Sequence, residues 1–200
     1  IDLLNVTAAD IDFVVLAEHL AKEKRFNGAT PDVEYSVAQH LCIGTDAILE
    51  AGGLEYEAAY FLLHDAPEGF WKDDPTPKKR AIAHRISQRC GVTAESVLGV
   101  LKEIDDEHEA AVHQAAGLPW PIPADIHRVV KLYDAKMLVT EWRDLMRNWP
   151  HPNWAEYSGV VALDDEIKPW SWTTARDGWL RRARQLIPTL RANAHTAPAG

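Results

Sequence analysis

The chain has 200 residues, of which 46% are hydrophobic and 26% charged, and its 21 lysine and arginine residues against 30 aspartate and glutamate residues give a net charge of −9 at pH 7. This composition excludes a disordered chain or a coiled coil, and no apolar run approaches the about 20 residues of a membrane span. The acidic balance offers no basic face to polymeric nucleic acid, and two cysteines exclude a disulfide framework. We therefore expect one cytoplasmic domain with neither nucleic-acid polymer nor membrane as partner.

Helical periodicity runs through nearly the whole sequence and predicts an all-α fold. Thr7 and Asp10 form a capping-box pattern, which predicts a first helix that extends to about Lys24. Later helix starts and ends are indicated by threonine caps, glycines and prolines. The further predicted helices are 33–50, 55–65, 76–91, 93–117, 125–149 and 174–186. The stretch 150–172 is predicted to be an irregular, tryptophan-rich segment.

Two histidines stand out in the first half of the chain. His40 lies beside Val37 and Gly44 on the apolar face of the helix predicted for 33–50. His64 and Asp65 close a helix whose preceding residues are almost all apolar. A single histidine on a core face is more often a hydrogen-bonded structural residue, and a His-Asp dipeptide also arises by chance, so neither observation alone predicts a site.

Two carboxylates face inward on the long helix predicted for 125–149. Asp134 lies four residues from both Val130 and Leu138, and Glu141 follows seven residues later on the same face. Burial of a carboxylate costs several kcal/mol unless a cation or hydrogen-bond donors meet it. A pairing of Asp134 with Lys131, one turn back, is the simpler interpretation.

The alternative interpretation is a metal site. Two imidazoles and two carboxylates in one interior suit a divalent ion such as Mn, Co, Zn or Fe. The side chains that would converge in such a site are His40, His64, Asp65 and Asp134.

Four segments of the sequence resemble the HD-domain metal-dependent phosphohydrolases. Within that superfamily they are most similar to the small bacterial 5′-deoxynucleotidases and the phage dATP triphosphohydrolases, and the resemblance covers about 25–147. The segments are YSVAQH at 35–40, HDAPE at 64–68, DDPTPKK at 73–79 and YDAKMLVTEWRDL at 133–145. The resemblance implies a helical HD domain over 1–150, with 151–200 as a C-terminal extension packed on the same domain.

The resemblance also implies a role for each matching residue. One divalent metal ion, with Mg added to the candidates above, would be held by His40, His64, Asp65 and Asp134. The catalytic carboxylates would be Glu68 and Asp73. The substrate-binding residues would be Arg25, Phe26, Lys79 and Lys131. The three cations among them would contact phosphate, and Phe26 would lie beside the base or sugar.

The sequence departs from the family pattern at two positions. Gln39 stands where many relatives carry a glutamate next to the first histidine, so a supporting carboxylate is missing there. Gly28 replaces a bulkier residue of the dATP enzymes, which leaves adenine selectivity open. The additional histidines of two-metal relatives are not evident, so we expect one metal ion.

The resemblance implies hydrolysis of a (deoxy)nucleotide, with a metal-activated water attacking a phosphate of a dNTP or a dNMP. Glu68 would orient or deprotonate the water, and Asp73 would assist the leaving oxygen. A non-catalytic nucleotide-binding HD module is one alternative. An HD-type metal oxygenase is another, although such enzymes use two metals and further histidines.

Other polar and aromatic segments have simpler interpretations. The acidic segment 102–109 (KEIDDEHE) is interpreted as a solvated face, with His108 as a structural residue, and His113 and His127 are interpreted as bystanders. The tryptophans concentrated at 142–179 are expected to pack the C-terminal segment or a subunit interface, so we expect a homo-oligomer.

Overall fold

The structure is a computed structural model that describes residues 1–72, 76–146 and 157–196, without the side chains of the last four. Within these ranges the chain forms α-helices, short 3-10 helices and no β-strand, which confirms the all-α fold class. The helices, in chain order, are α1 (Phe13–Lys22), α2 (Val37–Glu50), α3 (Glu55–Leu63), α4 (Thr76–Cys90), α5 (Ala94–Ala116), α6 (Ala124–Leu145), α7 (Trp172–Leu186) and α8 (Pro188–Thr196).

The first helix begins later than predicted. Thr7 and Asp10 do form a capping box, but it closes only the 3-10 helix Ala8–Asp10. The helix α1 starts after Asp12, because the Asp12 carboxylate accepts a hydrogen bond from the backbone N–H of Val14 at 2.8 Å. The short turn and the longer helix therefore have separate caps.

The second helix also begins later than predicted, at 37 instead of 33. The backbone before it is extended, since the N–H of Arg25 donates to the carbonyl of Tyr35 at 3.0 Å and Lys24 forms an antiparallel bridge with Ser36. The Ser36 hydroxyl then caps α2 by accepting from the N–H of Gln39 at 3.2 Å.

The ends of two other helices differ from prediction, and one helix was not predicted. The helix α3 stops at Leu63, so His64 and Asp65 follow it instead of closing it. The helix α6 ends at Leu145, and the predicted continuation over 147–149 falls outside the described ranges. The unpredicted helix α8 starts with Pro188, a residue suited to the first turn of a helix because its missing N–H is not needed there.

The core lies between α1, α2, α3 and α7, which pack against one another. Trp179 of α7 is fully buried, and its indole N–H donates to the carbonyl of Leu62 at 3.3 Å. Its ring stacks on Phe13 with 6.3 Å between centroids. Arg182, one turn further along α7, donates from Nε to the Asp46 carboxylate of α2 at 2.7 Å.

Helices α2 and α3 approach most closely where α2 carries Gly44. A Cβ atom placed on Gly44 would overlap the ring of Phe61. The same ring lies 5.7 Å from the ring of His40 and 4.6 Å from that of His64, centroid to centroid. The missing side chain at Gly44 thus lets Phe61 support both imidazoles.

None of the described helices combines the length and the apolar composition that a membrane crossing requires.

The replacement Gly44→Ala is expected to lower the free energy of unfolding by about 1–3 kcal/mol, because the added methyl group overpacks the contact with Phe61. Chemical denaturation measures the change. The matched control is Gly99→Ala on α5, where a Cβ atom meets nothing within 4 Å. That variant is expected to be up to about 1 kcal/mol more stable, since alanine favours the helix. Equal stability of the two variants would contradict the packing account.

Candidate metal centre

Three chain segments bring the predicted metal-binding residues together. His40 comes from the first turn of α2, His64 and Asp65 follow α3, and Asp134 lies in the middle of α6. Ligand atoms of His40, His64 and Asp65 all lie within 4.8 Å of one another, so this group can hold a metal ion. Asp134 adds a fourth candidate ligand atom, since its Oδ1 lies 3.7 Å from the Nε2 atoms of both histidines.

The second nitrogen of each imidazole is fixed by a hydrogen bond. His64 Nδ1 lies 2.7 Å from the carbonyl oxygen of Phe61, which can only accept, so Nδ1 carries the proton. His40 Nδ1 lies 2.6 Å from Oε1 of Glu141, a carboxylate that accepts in the same way. Both Nε2 atoms are buried and have no hydrogen-bond partner in the described part of the chain. Such an oriented, unpartnered pair of nitrogens facing two carboxylates fits a divalent metal ion.

The charges at the centre favour a cation in the same place. Burial disfavours a charged His64, but the carboxylates of Asp65 and Asp134 outweigh burial and raise its pKa to about 9. Burial also opposes ionisation of Asp134, yet His64, His40 and Arg25 together hold its pKa well below the usual range. The carboxylate of Asp134 therefore remains ionised and attracts positive charge to the space beside the two imidazoles.

Glu141 supports the centre without being one of the predicted ligands. It is fully buried, and burial opposes its ionisation, but Arg25 and His40 hold its pKa below the usual value. Its Oε2 accepts from Nη2 of Arg25 at 3.2 Å, while Nη1 of Arg25 donates to Oδ2 of Asp65 at 3.0 Å. The sequence placed Glu141 on the inward face of α6, and only the structure shows that it contacts His40.

Glu141 supplies the supporting carboxylate that the sequence lacks beside His40. Gln39, the neighbour of His40, points away toward the C-terminal segment. Its amide donates to the carbonyl of Lys168 at 2.8 Å and accepts from the backbone N–H of Trp170 at 2.8 Å. Gln39 thus anchors the irregular segment before α7, and Glu141 of α6 orients His40 instead.

A cleft of 430 Å³ opens beside the metal-binding group. Among the residues with predicted roles, its described lining includes His64, Asp65, Glu68, Lys79 and Lys131. The remaining lining residues are Pro67, Trp71, Lys72, Asp105, Asp106, Glu109, Trp120, Ile122, His127 and Val130.

Two of the predicted substrate-binding residues do not line the cleft. Arg25 and Phe26 are not among the described residues that line the cleft, and the Arg25 guanidinium lies 5.5 Å from the centre of the Phe26 ring. Asp73 lies outside the described residues. Arg25 reaches the metal centre through its bonds to Asp65 and Glu141.

The two cleft lysines with predicted roles each face a carboxylate. Lys79 donates to Oδ2 of Asp105 at 2.6 Å, which joins α4 to α5. The side chain of Lys131 is 61% exposed, and its Nζ lies 3.9 Å from Oδ2 of Asp134. The pairing that the sequence left open for Lys131 is therefore present, as a long contact that leaves the ammonium group accessible from the cleft.

The acidic segment 102–109 is a solvated face only in part, since Lys102, Glu103 and Glu107 are exposed. Asp105, Asp106 and Glu109 line the cleft, and His108 is fully buried, where its Nε2 donates to the carbonyl of Leu3 at 2.9 Å. The high charge of the segment concealed that α5 presents three of its carboxylates to the cleft. No signal in the single sequence separated these from the outward-facing ones.

Comparison with known proteins gives one informative match. The chain is 38% identical over 138 residues to an uncharacterized protein of Rhodobacter capsulatus. The match covers 67% of this chain and 62% of the relative, so the chain spans less than two thirds of the relative's length. No protein-family model matches the chain.

Addition of Mn, Co or Zn to the metal-free protein is expected to raise its melting temperature. A ligand at 100 times its dissociation constant stabilises the folded state by about 2.7 kcal/mol, and each kcal/mol corresponds to about 2–4 °C for a protein of this size. The double variant His64→Ala/Asp65→Ala should lose the response, whereas His127→Ala, which removes an exposed imidazole from the same cleft, should keep it. Equal responses in all three proteins would rule out this centre.

The replacement Glu141→Gln is expected to weaken metal binding about 10–100-fold, because the carboxylate that orients His40 and holds Arg25 loses its charge. Isothermal titration with Mn or Zn measures the affinity. The control is Asp144→Asn, one turn further along α6, whose carboxylate contacts Arg143 and the N–H of Ile167 instead of the imidazoles. An unchanged affinity in the Glu141 variant would refute its supporting role.

Proposed function

We propose that this chain is a metal-dependent phosphohydrolase of nucleotides or deoxynucleotides, of the HD-domain type. The observation that carries the proposal is the pair of buried, unpartnered imidazole nitrogens of His40 and His64, which face two carboxylates beside a cleft. The cleft adds four further carboxylates and three lysines among the described residues, a combination that suits phosphate chemistry.

A divalent metal ion held by His40, His64, Asp65 and Asp134 would supply a hydroxide nucleophile at neutral pH and polarise a phosphoryl oxygen. Glu68 belongs to the 3-10 helix Ala66–Gly69, which begins directly after Asp65, and its side chain lines the cleft. In this position Glu68 would orient the attacking water and accept its proton. Asp73, the other proposed catalytic carboxylate, would protonate the leaving oxygen.

The cations of the cleft would bind the phosphates. Lys79 and Lys131 line the cleft, and each offers an ammonium group to the negative charge that grows on the phosphoryl oxygens. Arg25 would contribute its charge from beside Asp65, where its two carboxylate partners fix the guanidinium plane.

Helix α4 adds a longer-range attraction for anionic substrates. It carries five lysine and arginine residues and no acidic residue, although the whole chain has a net charge of −9. Lys79 of this helix lines the cleft, and most of the other cations on α4 are exposed. The positive charge of α4 favours the approach of a substrate with several negative charges, as in a nucleoside triphosphate.

The reaction class is tested by product analysis. The purified protein is incubated with Mn, Co, Zn or Mg and panels of dNMPs, dNTPs and NTPs, and chromatography separates nucleoside, orthophosphate and triphosphate. Triphosphate release would identify a triphosphohydrolase, and orthophosphate from dNMPs would identify a 5′-nucleotidase. Absence of turnover in a metal-loaded protein would overturn the proposal and favour a nucleotide-binding module.

The replacement Glu68→Gln is expected to lower kcat about 100-fold to 10,000-fold, since general-base assistance is worth that much. Metal affinity should not change, because Glu68 is not among the proposed ligands. The control is Glu103→Gln, which alters an exposed carboxylate on α5 away from the cleft. Unchanged turnover in the Glu68 variant would remove its assigned role.

A further inference from the structure

Glu109 is a cleft carboxyl group that the proposed reaction does not use. It lies on α5 and lines the same cleft as His64, Asp65 and Glu68. Its Oε2 atom is buried and has no hydrogen-bond partner among the described residues, although the side chain as a whole is 22% exposed. Because Oε2 is buried, the exposed part of the side chain lies in its other atoms, and it is this part that a molecule in the cleft can reach.

A donor close to this oxygen is already occupied. His113 Nδ1 lies 3.5 Å from Oε2 of Glu109, beyond hydrogen-bond distance, and donates its proton to the backbone carbonyl of Glu109 at 2.8 Å. Burial, together with the charges of Asp65 and Asp106, raises the pKa of Glu109 to about 8. Ionised or neutral, the carboxyl group keeps an acceptor oxygen for an incoming hydroxyl group.

The cleft also has aromatic walls that are held in place. The indole N–H of Trp71 donates to Oδ1 of Asp105 at 3.1 Å. Trp120 packs on the ring of His113 with 5.0 Å between centroids, and Tyr60 stacks on the same imidazole at 5.2 Å. Rigid indole faces suit a planar ring such as a nucleobase. Acceptor and aromatic surface thus occur in the same cleft as Lys79, which shares Asp105 with the Trp71 indole.

We propose that Glu109 accepts a hydrogen bond from a hydroxyl group of the substrate's sugar, while the base lies against the aromatic wall formed by Trp71 and Trp120. A sugar hydroxyl is the first donor that a 5′-nucleotide presents beyond its phosphates. A carboxyl group in the cleft that holds the metal ligands is placed to meet it. This inference rests on the proposed function, and it makes Glu109 a residue that selects for the sugar.

The test compares a 2′-deoxynucleotide with its 2′,3′-dideoxy analogue, which lacks the hydroxyl group. Binding is measured by calorimetry with Mn present in the Glu68→Gln background, so that the result does not depend on turnover. With Glu109 intact, the dideoxy analogue should bind about tenfold or more weakly, the usual effect of an acceptor left unpaired. The further replacement Glu109→Leu, similar in size and without acceptors, should abolish the difference in affinity between the two nucleotides.

Two further variants separate sugar recognition from a general loss of fold. Glu109→Gln keeps an acceptor oxygen and should restore part of the preference. Asp106→Asn alters a neighbouring cleft carboxylate, which already accepts from Lys102, and should keep the full preference. A ratio that is the same with and without the Glu109 carboxyl group would overturn the inference while leaving the proposed hydrolysis intact.

The outcomes also distinguish this inference from the proposed function. Selective binding of the 2′-deoxynucleotide, without turnover in the unaltered protein, would support sugar recognition by Glu109 and overturn the proposed hydrolase function. Absence of nucleotide binding in the metal-loaded protein would overturn both.

Discussion

The buried carboxylate of Glu141 joins the elements that build the metal centre. It holds His40 of α2 at 2.6 Å and Arg25 of the turn after α1 at 3.2 Å, and Arg25 in turn holds Asp65. A charge at this depth is tolerated only when it is paired, so removing any partner exposes the others to a large desolvation cost. The direction of the His40 Nε2 atom is therefore set by Glu141, which is not one of the proposed metal ligands.

Packing supplies the second constraint on the same group. The imidazole rings of His40 and His64 have centroids 5.5 Å apart, and Phe61 packs against both. This arrangement is possible because Gly44 lets α3 approach α2 more closely than any side chain would permit. Hydrogen bonds determine the tautomer of each ring, and packing fixes its position. The Nε2 atoms of both rings are therefore oriented before a ligand binds.

Periodicity and caps were sufficient to predict the helical class and the inward direction of Asp134 and Glu141, because one face of a helix is decided by local spacing. They could not reveal which inward group Glu141 would meet, since its partner lies 101 residues away in the sequence. Glu109 escaped for a related reason. It ends a run of charged residues in which the outward-facing and the cleft-facing carboxylates belong to the same residue types. Only the packing of α5 shows which of them face the cleft.

Asp105 contacts both a cation and an aromatic side chain of the cleft. One of its oxygens accepts from Lys79 at 2.6 Å, and the other accepts from the Trp71 indole at 3.1 Å. In the proposed reaction, a phosphate that approaches Lys79 meets a cation whose charge is already shared with Asp105. Because a phosphate with more negative charge competes better for that ammonium group, the carboxylate would favour polyanionic substrates in the proposed reaction. A phosphate that competes for Lys79 would weaken the contact between Asp105 and the lysine, while the other oxygen of Asp105 still accepts from Trp71. Phosphate binding and the position of the aromatic wall would therefore be linked through Asp105.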